Sequence, residues 1–307
     1  MRIDRRDLKW RARDAMRAAC PNALLMTFIY LLFTAGLSGI VGWFAADPLG
    51  GILHLYGQGV TLDRALPLAL LAIGRMGLFW NILMAICGVV IDFGYKIWCL
   101  NTVRGQRGEL GDLFSGFSMV GRILWLRVLI LVYGFLWYIA VFMPMGFLIV
   151  LVAGMSVVLP VVGIPLLVGA FLLAVALWFS RIARYAMAVY CLADEPEKGA
   201  SRALRRSRVM MEGRVKEYII LLLSFLGWAL GIGLIAVTVE VVLVGIMTVL
   251  HGLTASQMAM DSLSGVLVSV LSVLTSWLLS LWLEPYMTMT ECNFYEKIKG
   301  GEETANI

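Results

Sequence analysis

Residues 128–180 read VLILVYGFLWYIAVFMPMGFLIVLVAGMSVVLPVVGIPLLVGAFLLAVALWFS, 53 positions without one Asp, Glu, Lys, Arg or His. In a bilayer each charged side chain at the centre costs roughly 2.5–3.5 kcal/mol on the insertion scale, which removes them from spanning segments. A soluble domain has no such pressure. Because a helix needs only about 20 residues to cross, the run holds two spans and their connection. Pro144, Pro160 and Pro165 punctuate that connection, which predicts a bent or broken turn rather than uninterrupted helix.

Outward from this run, the apolar segments are Ala23–Phe44, Gly77–Cys99, Leu124–Phe142, Gly163–Ala183, Tyr218–Val239 and Ser264–Leu283. Gly146–Leu159 and Val241–Leu250 are also apolar, and either extend their neighbours or form re-entrant pieces. The composition agrees: 61% hydrophobic and 15% charged residues, with mean hydropathy +0.89, lie outside the globular range. The expected fold is an all-α polytopic membrane protein. It has about six transmembrane helices in three hairpins, each preceded by a cytoplasmic amphipathic helix. Residues 1–22 would form the first such helix and 23–299 a single transmembrane domain. Further amphipathic segments lie near 109–121 and 196–213, and 300–307 would be a flexible tail.

The basic residues orient the chain. Of its 25 Lys and Arg, 23 lie in four stretches: residues 1–22, Lys96–Arg127, Arg181–Lys216 and the tail. Only Arg64 and Arg75 fall on the other side of a six-span arrangement. The positive-inside rule places both termini in the cytoplasm. A secretory signal would need a shorter basic region than 22 residues carrying three aspartates, and a better cleavage site than Phe44-Ala45-Ala46. The net charge of +5 therefore reports orientation. No basic-aromatic stripe or other nucleic-acid motif accompanies it.

A weak internal repeat runs through the chain. Leu8, Ala12, Ala15, Met16 and Ala19 share one helical face, as do Leu110, Leu113, Phe114 and Phe117, and then Ala200, Ala203, Leu204, Ser207 and Met211. Pro196 after Asp194-Glu195 marks a helix start. Tyr185 and Cys191 stand six apart, as do Tyr286 and Cys292, and Tyr95 with Cys99 is a shorter version. Chance likeness among apolar segments is the rival account of this repeat.

Three stretches are more particular. They are Asp112-Leu113-Phe114-Ser115-Gly116-Phe117; Arg184-Tyr185-Ala186-Met187 through Leu192-Ala193-Asp194-Glu195-Pro196, Ala203-Leu204-Arg205-Arg206-Ser207-Arg208 and Met211-Glu212-Gly213; and Ser224-Phe225-Leu226-Gly227-Trp228 followed by Pro285-Tyr286 and Phe294-Tyr295-Glu296. In that order they resemble the bacterial integral membrane family called domain of unknown function 975. The likeness covers nearly the whole chain and is densest from Arg184 to Trp228. The long apolar insert between the third and fourth spans departs from the usual pattern, as does Glu240–Asp261. In plan more than motif, the chain is also similar to the membrane domain attached to some bacterial glycerophosphodiester phosphodiesterases. The first resemblance implies a membrane location and topology, and no activity.

Few residues offer chemistry. Asp92 and Lys96 stand four apart, on one face of the second span. They read as an interfacial structural pair, or as part of an ion or proton relay with Glu240. Glu240 is the only ionisable residue between Tyr218 and Leu250. It is either an outer-boundary charge or must be protonated, face a polar cavity or meet a cation such as Arg75. Arg181, Arg184 and Glu284 lie at inner helix ends and read as anchors. Gly227 with Gly231, and Ser272, Ser276 and Ser280, read as packing surfaces. Arg202, Arg205, Arg206 and Arg208 suit anionic lipid headgroups, or an ordinary solvated loop.

The five cysteines form no CxxC, and with two distant histidines they argue for packing residues, with no metal or cofactor site. No catalytic motif appears. The expectation is a non-enzymatic membrane protein serving envelope maintenance, or partnering an export or stress system. The alternative is a small-solute or lipid-linked transporter using Asp92, Lys96 and Glu240.

Overall fold

The computed structural model of the chain describes residues 4–36, 78–158, 160–253 and 257–305, and among these every regular element is helical. Helix α1 spans Arg5–Ala18, and α2 spans Ala23–Leu31 with a π-helical continuation, Leu32–Gly36. Then come α3, Leu78–Val103, and a 3-10 helix, Leu110–Met119. The hairpin pair α4, Val120–Val158, and α5, Pro160–Ile182, follows. Short α6, Ala188–Asp194, leads to α7, Ala200–Met210, and the chain closes with α8, Val215–Leu253, and α9, Gln257–Ala305.

Local chemistry sets the boundaries. The Asp4 carboxylate accepts the Arg6 N–H at 2.9 Å and starts α1. Asn22 accepts the Leu24 N–H at 3.1 Å and starts α2 after a 90° bend. Asp112 accepts the Glu109 N–H at 3.1 Å and steadies the 3-10 helix.

Ile82–Val103, Leu110–Phe147, Pro165–Asp194 and Val215–Val239 are each long and apolar enough to cross a membrane, and α1 with α2 adds a fifth span if the bent pair counts as one. The sixth expected run, Ser264–Leu283, lies within α9, but the side chains of 264–273 fall outside the described residues. Pro144 does not break the chain as expected. It sits inside α4, which runs on to Val158, losing one backbone bond without ending the helix. Gly146–Val158 and Val241–Leu250 extend α4 and α8, so neither is re-entrant.

Among the described residues the buried core gathers at one end of the long helices, from α1, the start of α2, the last turns of α3, the 3-10 helix, α6, α7, the first turns of α8 and the end of α9. Leu8, Trp98, Cys99, Leu113, Tyr190, Met211, Tyr286 and Tyr295 are all closed off there. The middles of the long helices are bare by contrast, and Leu131 and Leu234 are each 70% exposed. In water that surface would forfeit roughly 25 cal/mol for each Å² left unburied. Such a surface suits helices long and apolar enough to cross a membrane, standing on a packed base.

The amphipathic elements complete this base. Leu8 and Ala12 of α1, and Ala200, Ala203, Leu204, Ser207 and Met211 of α7, point into the core as their spacing requires. The 3-10 segment differs: Leu113 and Gly116 are buried, whereas Leu110, Phe114 and Phe117 are exposed. Its period of three residues, not 3.6, splits the expected four-residue face. Each element packs on a cysteine-bearing helix: the 3-10 helix on α3, α7 on α6, and α1 on α9. The Tyr–Cys pairs converge, since Tyr95, Cys99, Tyr185, Cys191, Tyr286 and Cys292 all join the same cluster. Among the described residues, nothing lies within 4 Å of a carbon added at Gly227 or Gly231.

Candidate functional site

Charged groups meet where the bare helices enter the base. Lys96 donates to Asp92 Oδ2 at 3.0 Å, one turn along α3. Arg127 of α4 donates to the same oxygen. The Asp92 and Lys96 side chains are about one-fifth exposed, at 21% and 22%, and the Asp92–Arg127 pair binds α3 to α4.

From α9, Glu284 and Glu291 come within electrostatic reach of both Asp92 and Lys96. Glu291 lies eight residues past the last apolar run, inside the base. It accepts from the hydroxyls of Tyr190 at 3.3 Å and Tyr218 at 3.1 Å. Burial pushes its carboxyl above the usual glutamate range, while Lys96 and the two hydroxyls pull the other way. Asp92 takes both Lys96 and Arg127, while Glu284 and Glu291 feel Lys96 at longer range.

Of the expected three-residue relay, two members can be placed together. Asp92 and Lys96 meet, but Glu240 lies on α8 and its side chain falls outside the described residues. Tyr218, which touches the cluster, stands 22 positions earlier on the same uninterrupted helix. At 1.5 Å per residue that is about 33 Å of rise. Arg75, the cation suggested for Glu240, also lies outside the described residues.

On α7, Arg202, Arg205 and Arg208 are exposed, and Arg206 pairs with Glu195 at 3.1 Å. The apolar stripe of α7 faces the core, and Ser207 donates to the Arg184 carbonyl at 2.9 Å. This helix therefore offers lipid its charges but not its apolar face. Lys198 holds Glu195 below the usual carboxylate range, with Arg206 adding to the effect.

A second network was not visible in the sequence. Asp194 accepts from Arg104 and Lys299, each at 2.7 Å, and from Tyr295 at 2.8 Å, and Arg104 also donates to Glu296 at 2.8 Å. These bonds latch the ends of α3, α6 and α9. Asp7, held low by Arg11, takes Lys297 at 3.5 Å and ties α1 to α9. One signal could have found Glu291. It immediately precedes Cys292, as Tyr190 precedes Cys191 and Trp98 precedes Cys99. Among the described residues, no group of His, Cys, Asp and Glu is arranged to hold a metal ion.

Apolar helices on a charge-latched base define an all-helical chain fit for a membrane. The chain belongs to the family described as Protein of unknown function (DUF975), whose model matches residues 1–302. No curated protein and no solved structure matches it.

Proposed function

We propose that this chain is a non-enzymatic integral protein of the bacterial cytoplasmic membrane with both termini inside. It serves envelope maintenance, or acts as the membrane partner of an export or stress system. The observation that carries this reading is the pairing of Asp92 with both Lys96 and Arg127. Charges nearest the apolar helices hold α3 against α4 instead of facing a solute. A rigid base at the inner helix ends suits a platform for a cytoplasmic partner, and the arginines of α7 suit anionic headgroups beside it.

The alternative, a small-solute or lipid-linked transporter, draws support from Glu284 and Glu291 gathering about Lys96. Growth complementation, measured beside thermal stability in detergent, separates the two for Asp92→Asn, Lys96→Met and Glu240→Gln. The structural role requires full complementation by all three, with stability lost in the first two, where a buried pair is broken. Lost complementation at unchanged stability in all three would overturn it in favour of transport.

A further inference from the structure

Where α1 turns into α2, a groove of about 690 Å³ opens between α1, the start of α2, α8 and α9. Its two walls differ in chemistry. On the α1 side stand Arg13 and Arg17, both exposed. Arg13 lies over the Tyr286 ring at 5.3 Å, and among the described residues no carboxylate pairs with either arginine. On the other side stand Leu24, Trp228 and Trp282, which are 45%, 53% and 39% exposed. The two indole rings lie 5.5 Å apart. The floor is Asn22 and Ala23, the first positions of α2, whose dipole presents its positive end there.

The 90° bend fixes how these walls meet a bilayer. If α2 crosses, α1 lies along the surface, with its arginines at headgroup depth. Tryptophans favour that same depth because the ring is apolar and the N–H polar. Cation, helix dipole and apolar wall thus converge at one level, in a volume suited to a headgroup and the first part of its chains. Among the described residues, the basic pocket on α7 has Val209 as its apolar member and no indole wall.

We infer that this groove binds an anionic phospholipid of the inner leaflet, its phosphate between Arg13 and Arg17 and its acyl chains along Trp228, Trp282 and Leu24. The inference rests on the membrane placement proposed above but not on the role in the envelope, so the complementation outcome does not bear on it.

The test is native mass spectrometry of the full-length protein in micelles containing equal phosphatidylglycerol and phosphatidylcholine. Wild type should retain phosphatidylglycerol about tenfold over phosphatidylcholine. The variant R13Q/R17Q should lose that preference, while R13K/R17K and R202Q/R205Q/R208Q should keep it. Equal retention of both lipids by wild type would overturn the proposal, as would a preference that survives R13Q/R17Q. Displacement of the lipid by inorganic phosphate would mark a free-anion site instead and also overturn it. Should R13Q/R17Q not fold, the wild-type preference must still weaken as salt rises. A salt-insensitive preference refutes the electrostatic seat.

Discussion

Replacing Gly94 by Ala tests the closest contact in the base. A Cβ at this position would stand 2.1 Å from the Leu113 carbonyl oxygen and 2.7 Å from that of Asp112. Both are backbone atoms, with no rotamer through which to yield, so the 3-10 helix itself must move off α3. Overpacking of this kind costs about 1–3 kcal/mol, and a backbone neighbour places it at the upper end. Alanine returns about 1 kcal/mol of helix propensity. The net expectation is a loss of about 2 kcal/mol. Gly88 supplies the control, because it lies on the same helix with nothing within 4 Å of the added carbon. Gly88→Ala should keep the propensity gain, so the same substitution on the same helix changes sign. Thermal unfolding of the full-length protein in detergent, followed by tryptophan fluorescence, reads both. A Gly94→Ala midpoint equal to or above that of Gly88→Ala would refute the packing argument. The motif Asp112–Phe117 would then need another explanation than the seating of Leu113 and Gly116 on α3.

Asp194→Asn should cost about 3 kcal/mol or more, since it leaves Arg104, Lys299 and Tyr295 facing an amide; chemical unfolding in mixed micelles measures it. The pH dependence of stability should carry Glu291, whose carboxyl is raised on folding. Its contribution is fully present below the unfolded glutamate pKa and is lost as pH rises through the folded value. Glu291→Gln cannot ionise and can still accept from Tyr190 or Tyr218. Its melting temperature relative to wild type should therefore climb as pH increases, and a constant difference from about pH 4 to 8 would count against a raised carboxyl. For topology, a cysteine at Ser201 should resist a membrane-impermeant thiol reagent in intact cells and react after lysis. Labelling in intact cells would invert the orientation.

The sequence by itself determined whatever depends on near neighbours along the chain. A 53-residue run without charge marks helices apolar enough to cross a membrane, because hydropathy is a property of each segment. The stripes of α1 and α7 were legible because a helix repeats every 3.6 residues whatever it packs on. The Asp92–Lys96 bond was legible because four residues make one turn. Tertiary structure decided the remainder. Apolar residues at the packed ends and along the middles of the long helices look alike in sequence, so only the fold shows the core in the base and the bare helices above it. Arg127 lies 35 positions from its partner Asp92, and Glu291 lies 101 and 73 positions from Tyr190 and Tyr218. Asp194 likewise needs Arg104 and Lys299 from two other helices. Charge pairing at such separations follows from which helix ends stand side by side, and no local period records that. The three-residue winding of Leu110–Met119, which splits an apparent apolar face, was settled by α3 pressing Gly94 against its backbone.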